Sequence, residues 1–235
     1  ASNSNMQLSP KGTYAYWYCV QDSSWYTYSL ANGKEYRLTT PTTFAAWDED
    51  NDVPDYPSPH GLAGWTADDR NLLIYDRYDI WKFDPTAEVA PVNLTVNGRK
   101  EQLSYRLIRL DTEEKFIDIT KSQLLQVFNE KTKGSGHYSA HLSAPKAPKA
   151  LLTGNFMLKT PVKAKYSDAV IYTSETFEQY PNIRLSDLSF QKSIQLTHGA
   201  DQQANLNWGT AELVSWIHLD GTPLDGLVYT PENFH

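Results

Sequence analysis

The sequence is poor in residues and patterns that would crosslink the chain or anchor it. Cys19 is the one cysteine among 235 residues, which excludes an intramolecular disulfide and leaves the redox compartment open. No apolar run approaches the length of a membrane-spanning helix, and these residues contain no signal-peptide pattern. The net charge is −7 and no basic stripe occurs, so we expect neither nucleic acid nor a membrane span among the partners.

Aromatic side chains, in contrast, are abundant, with 15 Tyr and 7 Trp. A chain of this length can bury a sizeable core. Large flat side chains suit β-sheets that pack face to face, because they fill the space between the sheets. The composition therefore favours a core between sheets.

The stretch 64–95 gives the clearest secondary-structure pattern. It contains a short apolar run at Leu72–Tyr75, a polar step, an alternating run at 79–84 and a closing run at 91–95. Runs of β-branched and aromatic residues bounded by Asp, Asn, Gly and Pro are typical of strands and turns. The stretch therefore predicts an antiparallel meander of three or four strands.

The same order of turn and strand recurs along the chain, and each unit ends in a Leu-Thr pair. These pairs are Leu38-Thr39, Leu94-Thr95, Leu152-Thr153 and Leu196-Thr197. A single sheet of this size cannot cover both of its faces, and stacking against like neighbours would cover them. We therefore predict an all-β fold, a partial β-propeller of about four antiparallel blades with a C-terminal linking hairpin.

The repeats also set the predicted boundaries. Residues 1–7 are expected to be a cloning remnant or disordered, residues 8–212 the propeller, and residues 213–235 the linking hairpin. Two further strands are expected at 116–119 and around 206–208. The predicted blades are 8–40, 64–95, 96–153 and 154–199, with a part-blade at 200–212.

Two dipeptides predict the tight turns of this array. Asn32-Gly33 predicts a hairpin turn in which both residues have positive φ. Asp220-Gly221 predicts the turn of the C-terminal hairpin, between runs at 213–218 and 224–229.

The long acidic loop at 41–63 contains the candidate metal ligands. Asp48, Asp50 and Asp52 are spaced like the first ligands of a calcium loop, but Val53 and Pro59 stand where that loop needs glycine and glutamate. Two interpretations stay open: a solvated or internally hydrogen-bonded loop, and a site for calcium or another hard cation. We expect no metal and no cofactor, with these three aspartates as the candidates to be tested.

His137 and His141 are a second pair that could suggest a metal. In a strand they share one face but lie about 13 Å apart, too far for one ion. In a helix the same spacing would allow a shared ion. The flanking pattern favours ordinary strand histidines.

The C-terminal segment carries a family resemblance. Trp216 through Asp220-Gly221-Thr222-Pro223-Leu224 to Tyr229-Thr230-Pro231-Glu232-Asn233-Phe234 resembles the segment that joins the propeller to the hydrolase domain in the prolyl oligopeptidase (S9) family of serine peptidases. The turns at 9–12 and 66–69 and the Leu-Thr endings resemble the blades of that family. The resemblance covers essentially the whole chain and points to bacterial members of the dipeptidyl-peptidase type.

The resemblance implies the C-terminal part of a propeller, with the α/β-hydrolase domain absent from these residues. No Gly-x-Ser-x-Gly nucleophile elbow occurs, and Gly134-Ser135-Gly136 has the wrong spacing. We therefore expect no catalytic and no cofactor-binding residue. Glu113-Glu114 is the only glutamate pair, but it lies outside the sequence surroundings in which dipeptidyl peptidases use such a pair to hold the substrate amino terminus.

The resemblance further implies a non-catalytic role, in which the propeller gates peptide access to the hydrolase site. The implied partners are the chain's own hydrolase domain and peptide substrates, and open blade edges predict pairing into a homo-oligomer. The implied location is the periplasm, or otherwise the cytoplasm, of a bacterium. The alternative is a free-standing small propeller that acts as a protein- or glycan-binding scaffold.

Overall fold

The computed structural model describes residues 6–234, which divide into two compact units, one ending at Thr153 and the other beginning at Gly154. Of the expected N-terminal remnant, residues 1–5 lie outside the described residues, whereas Gln7 belongs to a strand. In the described part of the chain no helix is long and apolar enough to cross a membrane. The two units are described in turn.

The first sheet is an antiparallel meander whose strands pair in chain order. Its strands are β1 (Gln7–Leu8), β2 (Tyr14–Cys19), β3 (Ser24–Ser29) and β4 (Glu35–Arg37). The Asn32-Gly33 turn differs from the prediction, because Gly33 alone has positive φ, at 70°. The Asn32 side chain instead accepts a hydrogen bond from the Lys34 amide, which stabilises a longer loop.

The second sheet is the meander predicted between residues 64 and 95. Its strands are β5 (Leu62–Trp65), β6 (Leu72–Tyr75), β7 (Ile80–Phe83) and β8 (Val92–Asn93), and a 3₁₀ turn at Ala67–Asp69 joins the first two. A β-bulge between Leu62 and Gly64 shifts the pairing of β5 with β6. Gly64 has φ of 135°, so a side chain at this position would be strained.

The third sheet follows a short helix. The helix is α1 (Gly98–Glu101), and the strands of the sheet are β9 (Leu103–Ile108), β10 (Ser122–Asn129), β11 (Ser135–His141) and β12 (Lys149–Gly154). The strand expected at 116–119 is wrong, since Ile117 makes only a single bridge to Thr66. The apolar pattern there reflects burial of Ile117 against the second sheet, which periodicity does not distinguish from a strand.

The second unit contains one sheet and one hairpin. Its elements are β13 (Met157–Leu158), β14 (Val162–Lys163), β15 (Ala169–Glu175), β16 (Asn182–Asp187), β17 (Ile194–Gln195), α2 (Ala200–Gln203), β18 (Thr210–Ile217) and β19 (Pro223–Thr230). The hairpin predicted around Gly221 is present as β18 and β19. The strand expected around 206–208 is wrong, because residues 200–203 form a helix and β18 begins at Thr210.

Strand β6 shows how the three sheets of the first unit pack on one another through two hydrophobic clusters. All four of its residues are buried. Leu72 and Ile74 pack with aromatic residues of the first sheet, whereas Leu73 and Tyr75 pack with residues of the third sheet. Because successive strand residues point to opposite faces, the second sheet is covered on both sides by its neighbours. This is the stacking expected of consecutive propeller blades.

Three of the four Leu-Thr pairs close their sheets with the same hydrogen bonds. In the second sheet the Leu94 amide donates to the Ile80 carbonyl, and the Ile80 amide donates to Thr95 Oγ1 at 3.1 Å. The same two bonds join Leu38-Thr39 to Trp25, and Leu196-Thr197 to Ile183. The threonine hydroxyl therefore replaces a backbone carbonyl where the strand ends.

The fourth pair, Leu152-Thr153, lies inside β12 and does not end its strand. The neighbouring strand β11 contains Gly136, and a Cβ atom added at Gly136 would lie 2.7 Å from the Leu152 carbonyl oxygen. Here the close backbone approach depends on the absence of a side chain.

Thr95→Val is expected to lower the free energy of unfolding by about 2 kcal/mol, because it removes two buried hydrogen bonds at nearly constant volume. Thr95 is fully buried and its Oγ1 also donates to the Asp79 carboxylate at 2.6 Å. Urea unfolding followed by circular dichroism measures the change.

Thr197→Val is the matched control, because Thr197 makes the same backbone bond at a more exposed position. Its hydroxyl donates to the Asn182 side-chain oxygen at 3.3 Å, where Thr95 donates to a carboxylate. We expect a cost of about 1 kcal/mol or less there. Equal effects at the two positions would contradict the role assigned to the Asp79 carboxylate.

Candidate functional site

The candidate site is built on the tight turn between β6 and β7. The buried Asp76 carboxylate accepts hydrogen bonds from the Tyr78 amide at 2.8 Å and the Asp79 amide at 2.5 Å. It also accepts one from the Trp81 indole Nε1 at 3.2 Å. These bonds fix the backbone of the turn, so Arg77 and Tyr78 extend from a rigid support.

Arg77 is held by two carboxylates from different parts of the first unit. Its Nε and Nη2 donate to the two Glu130 oxygens at 3.1 and 2.6 Å. Its Nη1 donates to Asp50 Oδ1 at 2.7 Å. The bond to Glu130 is the main cause that raises the pKa of Arg77 above its usual range. A bidentate pair of this kind fixes the plane of the guanidinium.

Tyr78 contacts two guanidinium groups. The Arg77 and Arg99 carbons Cζ lie 5.2 and 5.1 Å from the centroid of its ring. The Tyr78 hydroxyl donates to Glu130 Oε2 at 3.1 Å, and burial raises the pKa of this phenol. Cation–π contacts on one ring keep both arginines in position although they repel each other.

Arg99 fastens the acidic loop 41–63 to this turn. Its Nη1 and Nη2 donate to the two Glu49 oxygens at 3.2 and 2.9 Å, and Nη2 lies 3.5 Å from Asp76 Oδ2. The bond to Glu49 is the main cause that raises the pKa of Arg99. Together with the pair Asp50–Arg77, this contact joins the tip of the loop to the second sheet.

Arg106 of β9 completes the cluster from the third sheet. Its guanidinium lies 4.6 Å from the Tyr75 ring centroid and donates to the carbonyls of Tyr105 and Arg77 at 2.8 and 3.1 Å. Burial lowers the pKa of Arg106. His60 also has a lowered pKa, first because of burial and second because of the Arg106 charge. The arginine cluster, formed by Arg77, Arg99 and Arg106, therefore supplies guanidinium groups of the kind that bind carboxylates.

The structure separates the three aspartates considered as metal ligands. The Asp50 carboxylate pairs with Arg77, whereas Asp48 Oδ1 accepts a hydrogen bond from the Asp50 amide at 3.1 Å. Asp52 is exposed. Among residues 6–234 no group of three metal-ligating side chains converges. A calcium titration of thermal stability remains the test of the cation interpretation.

The other residue pairs considered in the sequence lie in the turn between β9 and β10 and on β11. Glu113 and Glu114 are exposed in the turn between β9 and β10, where Arg109 donates to the Glu114 carbonyl. His137 and His141 lie on β11, as their strand pattern predicted. Sequence reasoning missed Arg77, Tyr78 and Arg99, whose one local signal is the polar step Asp76-Arg77-Tyr78 between two apolar runs.

His137 makes the fold sensitive to acid. It is fully buried, and burial lowers its pKa from 6.5 to about 4. The unfolded chain therefore binds a proton at a higher pH than the folded chain, and stability falls as the pH drops below about 6.5 toward 4. We expect this group to remove about 2 kcal/mol of the free energy of unfolding between about pH 7 and pH 5.

His137→Gln is expected to flatten this acid dependence in urea unfolding experiments repeated across the pH range. His141→Gln is the matched control on the same strand, because His141 is exposed. A pH profile that His137→Gln leaves unchanged would show that another group causes the acid sensitivity.

Comparison with known proteins bears on the fold. No protein family matches the sequence, and no curated protein is similar to it. A solved prolyl endopeptidase structure matches 98% of this chain with a TM-score of 0.58 and 14% identity. The fold is a partial β-propeller. The propeller chain spans 31% of that endopeptidase.

Two further solved structures are more distant. The isopeptidase AtxE2 matches 90% of this propeller chain, over 30% of its own length, with a TM-score of 0.48 and 11% identity. Regucalcin of Agrobacterium tumefaciens, a calcium-binding protein, matches 94% of the chain over 72% of its own length, with a TM-score of 0.45 and 11% identity. These TM-scores are too low to support further conclusions, so the fold assignment depends on the prolyl endopeptidase.

Proposed function

We propose that this chain is the propeller part of an S9-type serine peptidase and is itself non-catalytic. The observation that supports this most strongly is the match of nearly the whole chain to 31% of a prolyl endopeptidase. The C-terminal hairpin, which resembles the family's connection to the hydrolase domain, supports it independently. The proposed blades are residues 8–40, 64–95, 96–153 and 154–199, followed by a part-blade at 200–212 and a linker at 213–235.

In the intact enzyme the propeller would gate access of peptides to the hydrolase site. Such a gate needs sheets that hold their positions, and the two-sided packing of β6 supplies this in the first unit. The sequence contains no Gly-x-Ser-x-Gly elbow, so the nucleophile is proposed to lie in a separate hydrolase domain.

Size selectivity tests the gating role. The coding sequence beyond these residues is expected to contain a Gly-x-Ser-x-Gly motif, and its product is expected to cleave short prolyl peptides much faster than long polypeptides. Asp69→Asn, which loosens the contact between the first two sheets, is expected to raise cleavage of the long substrate relative to the short one. Asp68→Asn is the control, since Asp68 is exposed. Equal selectivity in all three proteins would contradict gating.

A second candidate function is a free-standing binding scaffold for protein or glycan. The arginine cluster around Tyr78 favours this candidate, since guanidinium groups beside an aromatic ring are typical of recognition sites. A coding sequence that lacks the Gly-x-Ser-x-Gly motif would favour the scaffold over the peptidase.

We also propose that open faces of the propeller pair between molecules. One face of the hairpin β18–β19 exposes large apolar side chains, namely Leu213, Ile217, Leu227 and Tyr229. Contiguous exposed apolar surface is typical of interaction sites. Analytical ultracentrifugation is expected to show a dimer, and a stable monomer at micromolar concentration would contradict this proposal.

A further inference from the structure

We propose that Arg77, Tyr78 and Arg99 form a carboxylate-binding clamp that the chain's own Glu49 and Asp50 fill in this structure. When the loop leaves, the clamp would accept an acidic peptide segment of a partner protein that carries two adjacent carboxylates. This proposal does not depend on the peptidase assignment, because it concerns residues of the first unit alone.

The arginines keep their positions without the loop. Arg77 is bound by both oxygens of Glu130, at 3.1 and 2.6 Å, and Glu130 lies outside the loop. Arg99 lies 3.5 Å from the buried Asp76 and against the Tyr78 ring. The clamp is therefore preorganised by groups that stay when Glu49 and Asp50 leave, which lowers the cost of binding a ligand.

The contacts of the loop are those of a ligand. Glu49 meets Arg99 through two hydrogen bonds to the terminal nitrogens, the bidentate geometry by which arginine recognises carboxylates. Asp50 adds a single carboxylate on Arg77, and 66% of its side chain is exposed, so a competing group can reach this position. Two neighbouring residues of the loop thus bind two arginines that both contact the Tyr78 ring.

The loop segment 47–59 can move without disturbing the core. Phe44 and Ala46 anchor its beginning in the core between the first two sheets. Beyond them the two ends of the segment are joined by the bridge Trp47 to Pro59 and by the bond from the Asp48 amide to the Ser58 carbonyl at 2.8 Å. The Tyr18 hydroxyl of the first sheet donates to the Pro57 carbonyl at 3.4 Å, a long bond. Segments with few such bonds open at low free energy.

Glu49 and Asp50 also define the ligand. A partner must present two adjacent acidic side chains in a tight turn, since Glu49 and Asp50 lie in a turn, closed by the bond from the Asn51 amide to the Asp48 carbonyl, when they fill the clamp. The loop competes from a high effective concentration because it is tethered. The apparent affinity for an outside peptide is therefore the intrinsic affinity multiplied by the small fraction of molecules in which the loop is displaced.

The test compares peptide binding to the unmodified chain and to the variant Glu49→Gln/Asp50→Asn by isothermal titration calorimetry at low salt. The probe is a capped peptide with the sequence of residues 46–53. We expect it to bind the variant at least about tenfold more tightly than the unmodified chain, because the tethered competitor is weakened. Adding Arg99→Gln to the variant is expected to remove this gain.

The control peptide carries Gln and Asn in place of the two carboxylates and is expected not to bind. Equal affinity of the acidic peptide for both proteins, or no binding to either, would overturn the proposal. Tighter binding of inorganic phosphate than of the peptide would overturn the assignment to carboxylates. A thermal melt of each variant checks that the fold is retained.

A second measurement uses the unmodified chain and no variant. Raising the salt concentration screens ion pairs between partly exposed groups. Amide hydrogen exchange at Asp48 and Asn51 is therefore expected to become several-fold faster between about 0.05 and 0.5 M NaCl, with Leu73 of β6 as the internal reference. Exchange that does not depend on salt would overturn the role of the ion pairs in holding the loop.

Discussion

Trp65→Ala is expected to lower the free energy of unfolding of the first unit by about 3–5 kcal/mol. Trp65 is 2% exposed and joins two sheets: its ring stacks on Tyr14 with centroids 5.6 Å apart and meets the edge of Tyr16 at 5.5 Å. Truncation removes both aromatic contacts and leaves a cavity that the flanking sheets cannot fill.

Urea unfolding followed by far-ultraviolet circular dichroism measures this effect without using tryptophan emission. Trp216→Ala is the control, because the Trp216 side chain is 48% exposed on the C-terminal hairpin. We expect a cost of about 1 kcal/mol or less at that position. Similar losses at the two positions would contradict the packing of Trp65 between the first two sheets.

Asp69→Asn is expected to cost about 3 kcal/mol. The Asp69 carboxylate is buried and accepts hydrogen bonds from Ser9 Oγ at 2.5 Å, from the Lys11 amide at 3.1 Å and from the Thr13 amide at 3.2 Å. These bonds join the first turn of the first sheet to the 3₁₀ turn of the second. An amide at this position would leave buried donors without acceptors.

Asp68→Asn is a closely matched control, since Asp68 and Asp69 both have positive φ, at 61° and 52°. Asp68 is exposed and pairs with Lys11 at the surface, so we expect its replacement to change stability by less than about 0.5 kcal/mol. If the two substitutions had the same effect in urea unfolding, the buried carboxylate would not be the link between the sheets.

The sequence allowed the repeat and much of its local structure to be predicted. The meander at 64–95 and the hairpin around Gly221 were predictable because turn residues and short apolar runs act locally. Three of the four Leu-Thr pairs mark sheet ends, and there the threonine hydroxyl bonds a backbone amide 14 or 15 positions earlier, as for Thr95 and Ile80. The position of these three at strand ends was predictable, but this bond was not, and the prediction was wrong for Leu152-Thr153 inside β12.

Two strand predictions failed for physical reasons that lie outside a local window. Residues 116–119 alternate like a strand, yet Ile117 is buried by the second sheet and makes only a single bridge. Residues around 206–208 follow a short helix, α2, and Trp208 instead donates its indole hydrogen to the Phe177 carbonyl at 2.7 Å. In both cases a tertiary contact accounts for the apolar residues.

The arginine cluster could not be predicted, because its members lie far apart in the chain. Glu130 is 53 positions from Arg77, and Glu49 is 50 positions from Arg99. The sequence drew attention to Asp50 as a candidate ligand of a cation. In the structure the cation beside Asp50 is the Arg77 side chain. The acidic loop was therefore recognised, but its partner was not.

Peptidase activity of the purified chain tests the central proposal, that this propeller is the non-catalytic part of a serine peptidase. The measurement is release of chromophore from a short prolyl dipeptide substrate, with the proposed longer product, propeller and hydrolase domain together, assayed beside it. We predict no hydrolysis above buffer by this chain and hydrolysis by the longer product. Hydrolysis by this chain alone, abolished by a serine-directed fluorophosphonate, would contradict the account.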